Sequence, residues 1–175
     1  GRISKFKILQ KITGVYVLIL RGTPLLLQII FIYFGLPAVG ISVLREPAAL
    51  VAMILNYAAY FAEIFRSGIE AIPVGQHEAA SVLGYTRSQT FVRIVLPQMM
   101  RIVLPSVTNE VITLVKDTSL AFALAYTEMF TLAKQIAAAN ASIMPLFVAG
   151  VFYYIFNFVV AWVMETIEKK MRYYK

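Results

Sequence analysis

Near the middle of this chain, polar and ionisable residues break an otherwise apolar run: Asn109, Glu110, Thr113, Lys116 and Asp117, followed by Thr118 and Ser119. Charged groups inside such a run are costly; they face a cavity or a partner and mark paths for polar cargo. On a helix, residues three and four apart share a face, so the spacing of Asn109, Glu110, Thr113 and Asp117 predicts one polar stripe with Lys116 beside it. The blander reading is an internal Lys116–acid ion pair, or polar glue between helices. Catalysis is poorly served. Asp117 is the sole aspartate, His77 is the sole histidine and lies in a polar loop, and there is no cysteine. Paired aspartates, an intramembrane serine–histidine pair, a His–Glu zinc motif and a thiol nucleophile are thereby excluded, and no catalytic residue or metal site is expected.

The elements that carry these residues follow from composition. Of 175 residues 60% are hydrophobic and only 14% charged, well outside the range of soluble domains. A chain of this size cannot hide that much apolar surface from water, so lipid is the expected solvent. Four apolar segments stand out, at about 12–36, 47–62, 102–124 and 145–164. They lack strand-like alternation, which predicts an all-α membrane protein with four spans. The first segment is broken at Arg21-Gly22-Thr23-Pro24. Thr23 as N-cap and Pro24 at the first helical position make a good helix start. Either Arg21 snorkels from a longer helix, or an interfacial helix precedes a short span.

The net charge of +7 does not point to nucleic acid, because 12 of the 16 basic residues fall in three clumps. These are Arg2, Lys5, Lys7 and Lys11; then Arg66, Arg87, Arg93 and Arg101; then Lys169, Lys170, Arg172 and Lys175. Only Arg45 and Lys134 lie in the other two loops, so both ends and the loop between the second and third spans are expected in the cytoplasm. The basic start leads into no small-residue cleavage pattern and does not read as a secretory signal.

That cytoplasmic loop is too long for a mere connector. Pro73-Val74-Gly75 breaks the chain, 76–83 is helix-compatible, and Gly84 sits where a C-terminal cap belongs. A short helix of this kind docks into a partner's groove or lies on lipid. The loop contains Glu78-Ala79-Ala80, three residues, Gly84, nine residues, Ile94, one residue, Leu96-Pro97. This resembles the EAA motif of the membrane subunits of ATP-binding-cassette (ABC) importers. The runs Arg21 to Gln28, Ala62 to Ile69 leading through Ile72 to Gln76, and Lys116 to Leu120 are similar to the signatures of polar amino acid permeases. The resemblance covers essentially the whole chain, in order.

The resemblance implies a type I ABC importer transmembrane domain, with 1–175 a single permease domain and a coupling loop at about 67–101. A further helix is expected ahead of the basic start, completing a five-helix core. The implied partners are a second, identical permease subunit, two ATP-binding subunits and an extracytoplasmic binding protein, in a bacterial inner membrane. ATP and magnesium belong to the ATPase partner, and no cofactor is expected on this chain. Glu78, Ala79, Ala80, Leu83 and Gly84 form the implied coupling helix, its small residues allowing close approach; Glu78 bonds the partner or caps its own helix. An amino acid carries an ammonium and a carboxylate. Glu110 and Asp117 suit the ammonium or a basic side chain; Lys116, Thr118 and Ser119 suit the carboxylate. Two acids against one lysine lean towards arginine, lysine or histidine, with glutamine open. Asn109, Thr113, Asn56, Tyr57 and Tyr60 are candidates for the same cavity, although Asn56, Tyr57 and Tyr60 also suit packing. Glu63 and Arg66 are spaced for a bracing or gating ion pair. His77 reads as solvated or at an interface, and Trp162, Tyr173 and Tyr174 as an aromatic belt. A secondary transporter would show inverted repeats, and none is visible. A non-transporting scaffold leaves the charged stripe without a role.

Overall fold

The computed structural model describes residues 6–124 and 127–171. Arg2, Lys5, Arg172, Tyr173, Tyr174 and Lys175 lie outside the described residues, as does Tyr126. Every regular element among the described residues is helical.

Helix α1 (Lys7–Gly22) and α2 (Leu25–Ile30) meet at Thr23-Pro24, where the axis turns by 106°. The cause is local. Pro24 cannot donate to the carbonyl four residues back, and residues preceding proline favour extended backbone; Thr23 sits at φ −119°, ψ 143°. The expected Thr23 cap does not form. Its hydroxyl donates back to the Ile19 carbonyl at 2.8 Å, and Pro24 itself occupies the cap position of α2. Beyond α2 the chain passes through a π turn (Phe31–Gly35) and a 3₁₀ turn (Leu36–Val39).

Three long helices follow. The first is α3 (Arg45–Glu70). After the short α4 (Val74–Val82) and α5 (Arg87–Thr90), a π turn (Phe91–Val95) runs into α6 (Leu96–Asp117), which ends in a 3₁₀ segment (Thr118–Leu124). Helix α7 (Met129–Ala139) then leads to α8 (Met144–Met171). The stretches Arg45–Glu70, Arg87–Ala121 and Met144–Lys170 are each long and apolar enough to cross a bilayer, and the bent α1–α2 pair counts as a fourth crossing if it is one span. Each π turn precedes a proline by two residues, Pro37 and Pro97. A proline has no N–H for the i−4 carbonyl, and the ladder shifts register there.

Two boundaries differ from the expectation. Most of 67–101 is helical: α3 continues to Glu70, and the third span begins at Arg87. A capping box starts it, with the Thr86 hydroxyl accepting from the Gln89 N–H and the Gln89 side chain accepting from the Thr86 N–H at 2.8 Å. The T-x-x-Q signal was present in the sequence; the clustered arginines masked it. The stretch 126–144, expected as a loop, contains α7. Glu128 caps that helix by accepting from the N–H groups of Phe130 and Thr131, both at 2.7 Å.

One core is built by α2, α3 and the 3₁₀ segment after α6, with Ile29, Ala48, Ala52, Met53, Tyr57 and Leu124 buried together. Alanines on this face of α3 let the backbones approach. A second core joins the end of α3 to the start of α6 through Ile72, Val95, Met99 and Val103. Gly68 sits at this contact; a Cβ there would lie 2.2 Å from Val103 Cγ1 and 3.0 Å from Met99 Cγ. Arg66, near the same end of α3, is paired with both Glu63 and Glu70 on its own helix, so the expected Glu63–Arg66 pair is a three-member brace. By contrast the stretch 145–164 of α8 carries no charge on any face, with Phe147, Tyr154, Phe158 and Trp162 all more than half exposed, as a lipid-facing helix requires.

Candidate functional site

Where α1 breaks, its C-terminal end faces α3 and α6 across a cavity of about 570 Å³. That volume lies within the range of small-molecule sites. Arg21, Gly22, Thr23 and Pro24 form one wall, Asn56, Tyr57 and Tyr60 of α3 the second, and Glu110, Thr113 and Asp117 of α6 the third.

The polar groups are mutually ordered. The buried Tyr57 donates its hydroxyl to Asp117 Oδ2 at 2.8 Å, which ties α3 to the end of α6. The Arg21 guanidinium lies over the Tyr60 ring, 5.1 Å from its centroid. A cation in that position gains about 0.5–2 kcal/mol, more as water is excluded. Arg21 is also within electrostatic reach of Glu110 on the opposite wall. The cavity thus presents one fixed cation, on α1, and two carboxylates, on α6.

Helical geometry explains which expected residues meet here. At about 100° per residue, Asp117 returns to within about 20° of Glu110, and Thr113 to within about 60°. By the same count, Asn109 stands about 100° from Glu110 and Lys116 about 120°. Glu110, Thr113 and Asp117 accordingly line the cavity, while Asn109 and Lys116 are exposed and do not. Thr118 and Ser119 are also absent from its walls; their hydroxyls donate to the carbonyls of Val115 and Lys116, each at 2.7 Å. The cation of the cavity is Arg21 in place of Lys116. Sequence reasoning missed it because Arg21 lies almost ninety residues upstream, and only the elbow after it aims it inward. Asn56 and Tyr60 do line the cavity, yet the Asn56 amide is already engaged within the protein, donating to the Leu20 carbonyl and to Gln28 Oε1.

At the other end of α3 lies α4. Its C-terminus is a Schellman turn: the Tyr85 N–H donates to the Ala80 carbonyl at 3.0 Å and the Gly84 N–H to that of Ser81 at 3.1 Å. Gly84 adopts φ +77°, as its expected capping role requires. The start of α4 has no side-chain cap, so Glu78 does not cap its own helix. Ala80 is fully buried against the chain itself, next to the Phe91–Val95 turn, and is not available to a partner. The outward face carries Val74, Glu78, Ala79, Val82 and Leu83, with Val82 88% and Leu83 74% exposed. His77 is exposed beside them.

Comparison with known proteins identifies this architecture. Residues 1–173 match the family described as binding-protein-dependent transport system inner membrane component. The chain is 38% identical to the L-cystine transport system permease protein TcyB of Bacillus subtilis (strain 168), covering 99% of this chain and 75% of that protein. It is 36% identical to the arginine transport system permease protein ArtQ of the same organism, over 98% and 79%. Among solved structures, an amino acid ABC transporter crystallised with histidines superposes with a TM-score of 0.88 at 28% identity, over 97% of this chain and 79% of that one. With its long apolar helices and a polar cavity lined by three of its helices, the chain belongs to the family of binding-protein-dependent transport system inner membrane components.

Proposed function

We propose that this chain is the membrane subunit of an ATP-driven amino acid importer, and that the cavity between Arg21, Glu110 and Asp117 is its substrate station. The carrying observation is the arrangement of one guanidinium facing two carboxylates across a cavity of about 570 Å³. An α-amino acid is complementary to it: the carboxylate pairs with Arg21, and the ammonium pairs with Glu110 and Asp117. The names of relatives, one for cystine and one for arginine, support an amino acid as cargo. The excess of one negative charge favours a cationic amino acid such as arginine, lysine or histidine. A second, identical permease subunit completes the membrane pathway. Two ATP-binding subunits hold ATP and magnesium, and an extracytoplasmic binding protein delivers the cargo. Both ends of the chain face the cytoplasm of a bacterial cell, and α4 meets the ATPase there through Glu78, Ala79 and Leu83.

The test is ATPase activity of the assembled transporter in liposomes, with its binding protein and a panel of amino acids. Stimulation by arginine, lysine or histidine, lost in Asp117→Ala, is the expected result. Stimulation by cystine or glutamine alone would retain the importer and overturn the cationic selectivity. No stimulation by any amino acid would overturn the cargo class.

The α4 assignment has its own check. A Cβ on Gly84 meets nothing within 4 Å, so the barrier to substitution is its positive φ alone. Gly84→Val costs about 1–2 kcal/mol in that conformation, which frays the end of α4. Substrate-stimulated ATPase activity is expected to fall at least fivefold, whereas Gly84→Asn, tolerated at such caps, retains most of it. Equal activity of the two variants would remove α4 from the coupling path.

A further inference from the structure

The break at Pro24 deprives one carbonyl of its usual partner. In a continuous helix the Leu20 carbonyl would accept from the N–H of residue 24, and proline has none. In a bilayer, water does not make good the loss, so the protein itself must. Two side-chain amides do so. Gln28 Nε2 donates to the Leu20 carbonyl at 2.9 Å, and Asn56 Nδ2 donates to the same oxygen at 3.0 Å. The second Asn56 proton goes to Gln28 Oε1 at 3.1 Å, joining the two amides. Gln28 Nε2 also reaches the Thr23 carbonyl and hydroxyl, at 3.1 Å and 2.8 Å. The clasp therefore holds both arms of the elbow to α3.

Its position gives it a consequence. Leu20 immediately precedes Arg21. On α3, Asn56 is followed by Tyr57, which holds Asp117, and one turn later by Tyr60, on which Arg21 lies. One face of α3 thus indexes the elbow, the cation and a carboxylate against one another. We infer that Gln28 and Asn56 are positioning residues for transport: by capping the Leu20 carbonyl that Pro24 orphans, they hold the elbow in the one geometry that aims Arg21 into the cavity. Asn56 acts through Arg21, with both of its amide protons engaged within the protein. The inference rests on the cavity being the amino acid station.

The experiment measures uptake by the assembled transporter in liposomes for Asn56→Leu and Gln28→Met, each alone and combined with Arg21→Ala. Each single change is expected to raise KM about tenfold and to change the maximal rate less than twofold. Neither is expected to raise KM further once Arg21 is replaced by alanine. A multiplicative rise of KM in the Arg21→Ala background would make Asn56 a direct ligand and overturn the proposal. Should Asn56→Leu fail to assemble, Gln28→Met, at a half-buried position, carries the same comparison. If Arg21→Ala leaves KM unchanged, it is the substrate station that fails, and the elbow is then read directly. The chain has no cysteine, so spin labels on Val15→Cys and Phe34→Cys report the distance between the arms. A broadened distance distribution in Asn56→Leu sustains the clasp, and an unchanged one overturns it.

Discussion

Asp117→Asn and Glu110→Gln are each expected to lower kcat/KM for amino acid uptake by roughly a hundredfold, about 3 kcal/mol. Both changes keep shape and remove charge. The amide oxygen introduced by Asp117→Asn can still accept from the Tyr57 hydroxyl that now reaches Asp117 Oδ2, so α3 and α6 stay joined and the ATPase stays bound. The ammonium of the cargo, stripped of water inside the membrane, then meets a neutral amide where it had a carboxylate, and the unmatched charge accounts for the size of the loss. Lys116→Gln is the internal contrast. Lys116 is adjacent in sequence but outside the cavity walls, and its change is expected to alter uptake less than twofold. Wild-type kinetics in both acid variants would move the station elsewhere. A hundredfold loss in Lys116→Gln would return the cationic role to the residue that the sequence first suggested.

Gly68→Val is expected to destabilise the membrane domain by about 3 kcal/mol through overpacking. The first added carbon would already lie 2.2 Å from Val103 Cγ1. Valine is stiff at χ1 in a helix, so Val103 has no easy way to withdraw. The separation of α3 from α6 that results would also displace α4, which lies between them in the chain. Thermal unfolding of the detergent-solubilised protein measures the loss. Val103→Ala opens space at the clash, so the double variant is expected to be more stable than Gly68→Val alone. Strict additivity of the two destabilisations would show that Gly68 is not held by that contact.

How much was legible beforehand differs from element to element. The all-helical class and the apolar runs of α3, α6 and α8 were readable, because a bilayer imposes a length and a composition that no soluble core imitates. Gly84 was readable as a helix end, because only a residue tolerant of positive φ sits there comfortably. The start of the third span was misplaced, since arginines clustered at 87, 93 and 101 resemble a loop although a helix end facing the membrane surface carries them equally well. Helix α7 was missed because its eleven residues are too short to span, and Glu128 is a weaker start signal than a serine or threonine cap.

The candidate site divides along the same line. Glu110, Thr113 and Asp117 came from local periodicity, because one helix fixes their mutual angles whatever surrounds it. Asn109 was placed on the stripe by its spacing from Thr113 but falls at its edge, about 100° from Glu110, and Lys116 was drawn in by sequence proximity. Arg21 was out of reach of any local argument, and so was the bond by which Tyr57, already a candidate for the cavity, holds Asp117. Arg21 enters the cavity because Pro24 breaks α1, and two amides from α2 and α3 stabilise the break. Tyr57 matters because α3 packs beside α6. By itself, then, the sequence determined the solvent, the long apolar helices, the short α4 with its glycine cap and the acidic stripe, all properties of a single segment in its environment. Only the tertiary structure decided which cation faces those acids and which small residues are buried within the chain. Those depend on how segments far apart in sequence approach in space, and a one-dimensional pattern carries no such distance.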